Sequence, residues 1–507
     1  MPPKNRKPRA RRGPAGRPAP TRARIRMYRQ GLGDCFLVTF FGSPDRHFLI
    51  DCGTLGATTT GVRLEAVIEN IREATRDHLD VLIATHEHKD HVSGFRGDPP
   101  AIDEITIDNA WVAWTEDPND RLAKKIAKHK GDLINTIRLA ADAMGVNRPN
   151  DPAEREWQEV NRSGMRELLG FYGDLPPEGT PIPLALAGTV HEAMRYVTES
   201  AASNGRFLSP GELIEEEWLP GIRIYVLGPP RSESALRNLG EHGSPELYAM
   251  ATQFSKDLSA CSTFSLSPKD FPGYRNVLEP AERQAFEAQL PFDPRFRLEA
   301  ADRHQCEARF ATYFAGENDW RRIDGDWLSG GSDLALQLDS YTNNTSLVLA
   351  FEFVDDGRVI LFPADAQVGN WLSWHDHTWE IGEGRSRRTV TARDLLARTV
   401  FYKVGHHASH NATVREDGLE LMRREDLVAM IPVDRKVALN KNPPWQMPAK
   451  ALYARLLEKT RGRVIRSDTG WPPDADKPVA LADEEWAEIK RASGITITDL
   501  YIDLEVR

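Results

Sequence analysis

Apolar residues in this chain gather into short runs that stop abruptly at polar, chemically distinctive residues. Cys35-Phe36-Leu37-Val38-Thr39-Phe40-Phe41 and His47-Phe48-Leu49-Ile50 read as strands, the second ending at Asp51-Cys52-Gly53. Val81-Leu82-Ile83-Ala84 reads as a buried strand running into Thr85-His86-Glu87-His88-Lys89-Asp90-His91. Ile25–Tyr28 and Ile222–Leu227 add two more strands. The pair 347–353 and 359–362 flanks the hairpin signal Asp355-Asp356-Gly357, and Phe401-Tyr402-Lys403-Val404 closes the series. Helical spacing appears at Val62, Leu64, Val67, Ile68 and Ile71, over 121–145, 152–170 and 186–202, and again at Leu452, Leu456 and Leu457. The β-α-β order ahead of His86 predicts an α/β (α+β) fold.

The chemistry sits where the strands stop. His86, His88 and Asp90 are spaced by two and His91 follows directly. On a strand end entering a turn, that spacing lets two imidazoles converge on one cation while Asp90 and His91 reach a second. Neutral imidazole and carboxylate suit Zn²⁺ or Mn²⁺, and two such ions about 3.5–4 Å apart are a catalytic arrangement. Asp365 ends the run Val359-Ile360-Leu361-Phe362-Pro363-Ala364, and a carboxylate leaving a buried apolar strand needs a partner such as a pair of metals. A second histidine cluster, His406-His407-Ala408-Ser409-His410, follows Val404-Gly405. Six of the fourteen histidines lie in these two short segments, which metal binding explains. His407 is expected as the ligand and His406 as a substrate-facing acid or hydrogen-bond donor, with the reverse assignment open. His375 and His377 imitate a ligand pair but sit in a Trp-rich stretch and are expected to be decoys.

Thr-His-Glu-His-Lys-Asp-His resembles the HxHxDH signature of metallo-β-lactamase-fold hydrolases. That resemblance implies an αββα sandwich with the metal loops along one edge of two packed sheets. It implies His86, His88 and Asp365 around a first divalent metal, and Asp90, His91, His407 and Asp365 around a second. Asp51 and Thr85 would then hold the ligand loop by hydrogen bonds, anchoring the imidazole nitrogens that face away from metal. The order GLGDCFLV, FLIDCG, THEHKDHVSG, NNTSLVLAFEF, VILFPADA and YKVGHH, with Asn442-Pro443-Pro444-Trp445-Gln446-Met447-Pro448 further on, is similar to the hydrolase domain of ComEC-type competence proteins. The chain departs from that subgroup at Met447, where a histidine is usual. It also departs from many metallo-β-lactamases at Asn343-Asn344-Thr345-Ser346, where a further histidine precedes the bridging aspartate. The first metal would be left with open positions that admit water and substrate oxygen.

The expected organisation is a disordered basic tail over 1–24, a first core part over 25–96, and insertions over 97–335 with one core strand near 221–230. A second core part covers 336–470 and a C-terminal extension 471–507. The insertions, about 97–220 and 231–335, are read as a largely helical cap. The 507 residues suffice for more than one core. Residues 1–26 hold ten Lys or Arg, six Pro and no acid, while the whole chain carries −10, so the remainder carries about −20. Such a body disfavours tight non-specific duplex binding, whereas the tail suits a polyanion. No apolar run approaches membrane-span length, no leader-like segment opens the chain, and four scattered cysteines suit a reduced compartment. A cytoplasmic protein without membrane contact is expected.

The leading expectation is a dinuclear metal-dependent hydrolase, a phosphodiesterase or nuclease acting on nucleic acid or a nucleotide. A metal-bridging hydroxide would attack phosphorus in line, with Asp90 at the centre and Lys403 or His406 neutralising developing charge. The phosphodiester part rests on the resemblance. Two other readings stand beside it: a hydrolase of small esters, lactones or amides, and a non-catalytic binding module stabilised by metal.

Overall fold

The computed structural model describes residues 22–97, 100–146, 152–183, 186, 188–200, 205–238, 312 and 326–507. The basic tail and most of the second insertion, with His242 and His304, lie outside the described residues. Two mixed sheets carry the fold. The first has eight strands in the spatial order Ile495–Ile497, Tyr501–Val506, Ala23–Tyr28, Cys35–Phe40, Arg46–Cys52, Val81–Ile83, Ala110–Ala113 and Gly205–Leu208. The second has seven: Val464–Arg466, Val428–Ile431, Thr399–Lys403, Val359–Phe362, Val348–Phe353, Ile222–Gly228 and Leu213–Ile214.

Both faces of both sheets are covered, so the strands alternate between two apolar environments rather than between core and water. In Cys35–Phe40, Phe36, Val38 and Phe40 enter the core between the sheets. Cys35 and Leu37 face the helix Leu64–Thr75 and the inserted helices instead. In Val348–Phe353, Leu349, Phe351 and Phe353 point between the sheets, while Val348 and Ala350 face the helices of the other side. Edge-on aromatics tie the layers together, with Phe36 against Phe362 at 5.5 Å and Phe48 against Phe351 at 5.8 Å. The result is a four-layer αββα sandwich, as the sequence predicts.

Segments outside the expected core contribute more to the sheets than the pattern suggested. The first insertion supplies Ala110–Ala113 and Gly205–Leu208, both parallel additions to the first sheet, beside its helices Arg121–Val146, Pro152–Leu169 and Gly188–Ser200. Residues 471–507, expected as an extension, supply Tyr501–Val506, which pairs antiparallel with Ala23–Tyr28. Ile502, Leu504 and Val506 enter the inter-sheet core. Asp503 on the opposite face takes a bidentate pair from Arg26, both bonds 2.8 Å, across 477 residues of chain. That Tyr-Ile-Asp-Leu-Glu-Val run alternates as a strand should, and it also pairs antiparallel with Ile495–Ile497.

Candidate metal centre

Four strand ends converge on one spot. The strand Arg46–Cys52 delivers Asp51, whose backbone turns into the left-handed region at φ 56°. Its carboxylate takes hydrogen bonds from the Thr85 N–H at 2.8 Å and hydroxyl at 2.7 Å, and meets His91 Nδ1 at 2.7 Å. Asp51 and Thr85 thereby clamp the start of the histidine loop to its end. The loop continues into the short helix Lys89–Val92, where Asp90 and His91 lie fully buried. Two glycines make the close approach possible. A Cβ on Gly53 would lie 2.2 Å from the Asp90 carbonyl carbon, and one on Gly33 2.7 Å from the Asp90 oxygen.

The other half comes from the second sheet. After Val359–Phe362 the chain passes Ala364 at φ 52° and presents Asp365, and after Thr399–Lys403 it enters His406, His407 and Ala408 at φ 41°, 51° and 62°. Three successive non-glycine residues with positive φ store strain of the kind that clusters at functional sites. The strained turn is held by the His406 N–H donating to Asp365 Oδ1 at 2.9 Å and by His407 Nδ1 against the Pro432 carbonyl at 2.6 Å. The Asn344 segment, where a histidine was missing, is a structural staple. Its side chain bonds the Leu236 carbonyl and the Asn370 N–H, and Asn370 returns bonds to the Asn344 and Ser346 carbonyls.

Two ligand-like clusters result. His86, His91 and Asp365 form one, and Asp90, Asp365 and His407 the other, each with donor atoms within 4.8 Å of one another. His91 groups with His86 and Asp365 and also lies within reach of Asp90 in the second group, where it was expected. Its Nε2 stands 3.1 Å from Asp365 Oδ2 and 3.8 Å from Asp90 Oδ2, between the two. His86 Nε2 and His88 Nδ1 are 3.1 Å apart, close to the tetrahedral edge of about 3.3 Å that metal–nitrogen bonds of about 2.0–2.1 Å imply. Asp90 Oδ1 is buried with no hydrogen-bond partner, and the buried His91 Nε2 and Asp365 Oδ2 face each other. Buried donors of this kind, converging from two sheets, fit divalent cations.

The electrostatics agree. Burial pushes the His86 pKa well down, helped by His91 and His88, and brings His88 to about 3, so both imidazoles stand neutral as ligands must. For His91 burial acts downward but the Asp365, Asp34, Asp51 and Asp90 carboxylates win, raising it well above its ordinary value. His407 is raised too, burial being outweighed by its 2.9 Å bond to Asp90 and the charge of Asp365. Lys403 is 1% exposed and bonded to Asp34 Oδ2 at 2.5 Å, Asp365 Oδ1 at 3.0 Å and the Ala364 carbonyl at 2.8 Å. It balances ligands rather than standing free for substrate. His406, at 6% the most exposed of the centre's imidazoles, is held at Nδ1 by the Ser409 hydroxyl at 3.0 Å and lowered to about 4 by burial. His375 bonds the Asp417 carbonyl at 2.7 Å and His377 packs near Trp379, both outside these clusters.

Residues 28–103 match the metallo-beta-lactamase superfamily. The matched stretch includes the strands that deliver Asp51 and the loop His86–His91. No curated protein and no solved structure matches the chain. The family and the His/Asp clusters together support a metal-dependent hydrolase with candidate divalent-metal ligands.

Three residues of the centre were not singled out from sequence. Asp34 is 2% exposed and lies 3.8 Å from His91 Nδ1; burial raises its pKa to about 6 against the pull of Lys403. Its position in Gly-Leu-Gly-Asp, an acid at a glycine turn entering an apolar strand, was the available signal. Tyr172 meets His88 Nε2 at 3.1 Å and Asp339 bonds Asn343 at 3.0 Å, and neither stands in any recognisable spacing.

Proposed function

We propose that this protein is a dinuclear hydrolase of phosphodiesters in nucleic acid or nucleotides, using two divalent metals, Zn or Mn. The observation that carries the metal reading is Asp365, fully buried and shared by both ligand clusters, with Oδ2 3.1 Å from His91 Nε2. His86, His88 and Asp365 would hold one cation; Asp90, His91, His407 and Asp365 would hold the other. Bound there, the two cations would supply a water nucleophile at neutral pH and polarise the scissile bond. Asp51 and Thr85 keep His91 in register, and Lys403 keeps Asp365 ionised: burial drives its pKa up, but Lys403 and His91 bring it well below the usual carboxylate range. His406 faces substrate. Its Nδ1 is held by the Ser409 hydroxyl at 3.0 Å and faces Gln367 Nε2 at 3.4 Å, which leaves Nε2 for substrate.

The phosphodiester class is supported by the resemblance of the ordered motifs to the hydrolase domain of competence proteins and by the basic N-terminal segment. A second reading, a small ester, lactone or amide substrate, is favoured by the enclosure of the centre, whose His88, Asp90, His91, Asp365 and His407 are all 0% exposed. Protein reloaded with Mn²⁺ or Zn²⁺ is to be tested on end-labelled single-stranded DNA, duplex DNA and RNA, with Asp365→Ala alongside. Cleavage that vanishes in the variant supports the proposal. Nitrophenyl-ester turnover without any phosphodiester cleavage would transfer it to the second reading.

A further inference from the structure

The first insertion grips the histidine loop at three successive residues. Glu87 pairs at 2.5 Å with Lys130, a lysine 3% exposed on the inserted helix Arg121–Val146. The Lys89 N–H donates to the Phe171 carbonyl at 2.7 Å, and the Lys89 ammonium reaches Asp174 at 2.7 Å. Between them, the Tyr172 hydroxyl lies 3.1 Å from His88 Nε2, while the Phe171 ring sits 5.1 Å from the same imidazole. Phe171 is itself backed by Trp445, stacked at 5.3 Å with 14° between planes. Docking an insertion onto a sheet needs only apolar contact. One of these polar bonds, from Tyr172, instead falls on a side chain of the centre, His88.

Hydrogen-bond direction gives the convergence a purpose. A neutral imidazole has one proton to place. His88 turns Nδ1 toward His86 Nε2, so a ligand role requires the lone pair at Nδ1 and the proton at Nε2. That proton needs an acceptor, and the Tyr172 oxygen is in place. Tyr172 in turn has Thr342 Oγ1 at 2.7 Å to receive its own proton. The phenol is 1% exposed. Thr342, at the end of the helix Asp326–Asn343, is fully buried. The Leu338 carbonyl at 3.5 Å is a second acceptor for the Tyr172 proton, and with either acceptor the phenol oxygen is open to His88 Nε2–H.

We infer that Tyr172 is a positioning residue of the metal centre: by accepting the His88 Nε2 proton it fixes the tautomer that presents Nδ1, making the inserted segment a working part of the site. The inference rests on the dinuclear reading above. By linkage, cation binding at His88 would in turn hold the insertion down.

The test is a calorimetric titration of metal-stripped, full-length protein with Mn²⁺, repeated with Co²⁺ while following its visible absorption. Wild type, Tyr172→Phe and Thr342→Val are compared, with limited proteolysis of the insertion run with and without metal. Tyr172→Phe keeps the ring and its packing. It is expected to weaken one of two sites by about 10–100-fold, as loss of such an outer partner does, and to leave the other within about twofold. Thr342→Val, one link further out, is expected to weaken the same site by a smaller factor. Metal is expected to protect the insertion in wild type and less so in Tyr172→Phe. Two sites of unchanged affinity in both variants would overturn the inference. A wild type that binds no metal would overturn the dinuclear reading itself, a separately recognisable result.

Discussion

Lys403→Met offers the sharpest check on the charge balance of the centre. In the metal-free protein the Lys403 ammonium is the fixed cation between Asp34 and Asp365, at 2.5 and 3.0 Å, with all three side chains at most 2% exposed. Two unit charges about 4 Å apart interact by about 4 kcal/mol at an effective dielectric of about 20, and removing one member of a buried pair costs about 3–5 kcal/mol. The variant strands two carboxylates, but one has an escape. Asp34 already titrates near 6, because burial raises it and Lys403 only partly opposes. Losing the ammonium raises it further, and protonation caps the penalty at about 1.4 kcal/mol per unit of displacement. The expected destabilisation is therefore about 3–5 kcal/mol near pH 8 and smaller near pH 5, where Asp34 is already protonated in the wild type. Urea unfolding of chelator-treated protein, followed by tryptophan fluorescence at both pH values, measures it. Adding Asp34→Asn to Lys403→Met is expected to recover part of the loss, since both halves of one ion pair are then gone. A Lys403→Met protein within about 1 kcal/mol of wild type at pH 8 would refute the argument that this lysine balances the ligand carboxylates.

Other outcomes test separate parts of the structure. His407→Ala is expected to lose one bound metal while His406→Ala keeps two, measured by elemental analysis after dialysis; equal losses would reverse the assignment made from the Asp90 bond. Burial, reinforced by Asp365 and Asp90, raises the Asp339 pKa to about 8, so the folded state holds a proton that the unfolded chain releases. The Asp339 contribution to the stability of the metal-free protein should then fall as pH rises from about 4 to about 8, and Asp339→Asn should remove it, gaining on wild type near pH 8 and converging near pH 4. Parallel urea titrations decide, and a difference that does not vary with pH would sink the idea. Asp503→Ala removes both 2.8 Å bonds to Arg26 and is expected to cost about 1.5–3 kcal/mol, read from the same unfolding curves.

What the sequence disclosed tracks how local each signal is. The centre's histidines and Asp90 crowd into two short segments, and Asp365 announces itself as a carboxylate at the end of an apolar run. Two packed, doubly covered sheets follow from strands apolar on both faces. Tyr172 and Asp339 carry no such mark, because what joins them to the centre is packing between distant segments. Lys403 was visible as a cation beside histidines, but its commitment to Asp34 depends on how the first sheet's glycine turn meets the second sheet. Asn344 illustrates the same limit: an absent histidine was legible, whereas its replacement by a hydrogen-bonded staple with Asn370 was not.

The pairing of Tyr501–Val506 with Ala23–Tyr28 bears on how the molecule comes to be assembled. A chain growing from its N-terminus makes the Asp51, histidine-loop and Asp365 segments long before it makes residue 501. Until then Arg26 has no Asp503, and one edge of Ala23–Tyr28 in the sheet that carries the histidine loop stands open. Contacts so remote along the chain close slowly. The unpaired strand edge is meanwhile a template for neighbouring nascent chains. The protein must therefore finish its first sheet after synthesis has passed the last strand, and a chain cut short just before residue 501 would carry all of its ligands with that edge still unsealed.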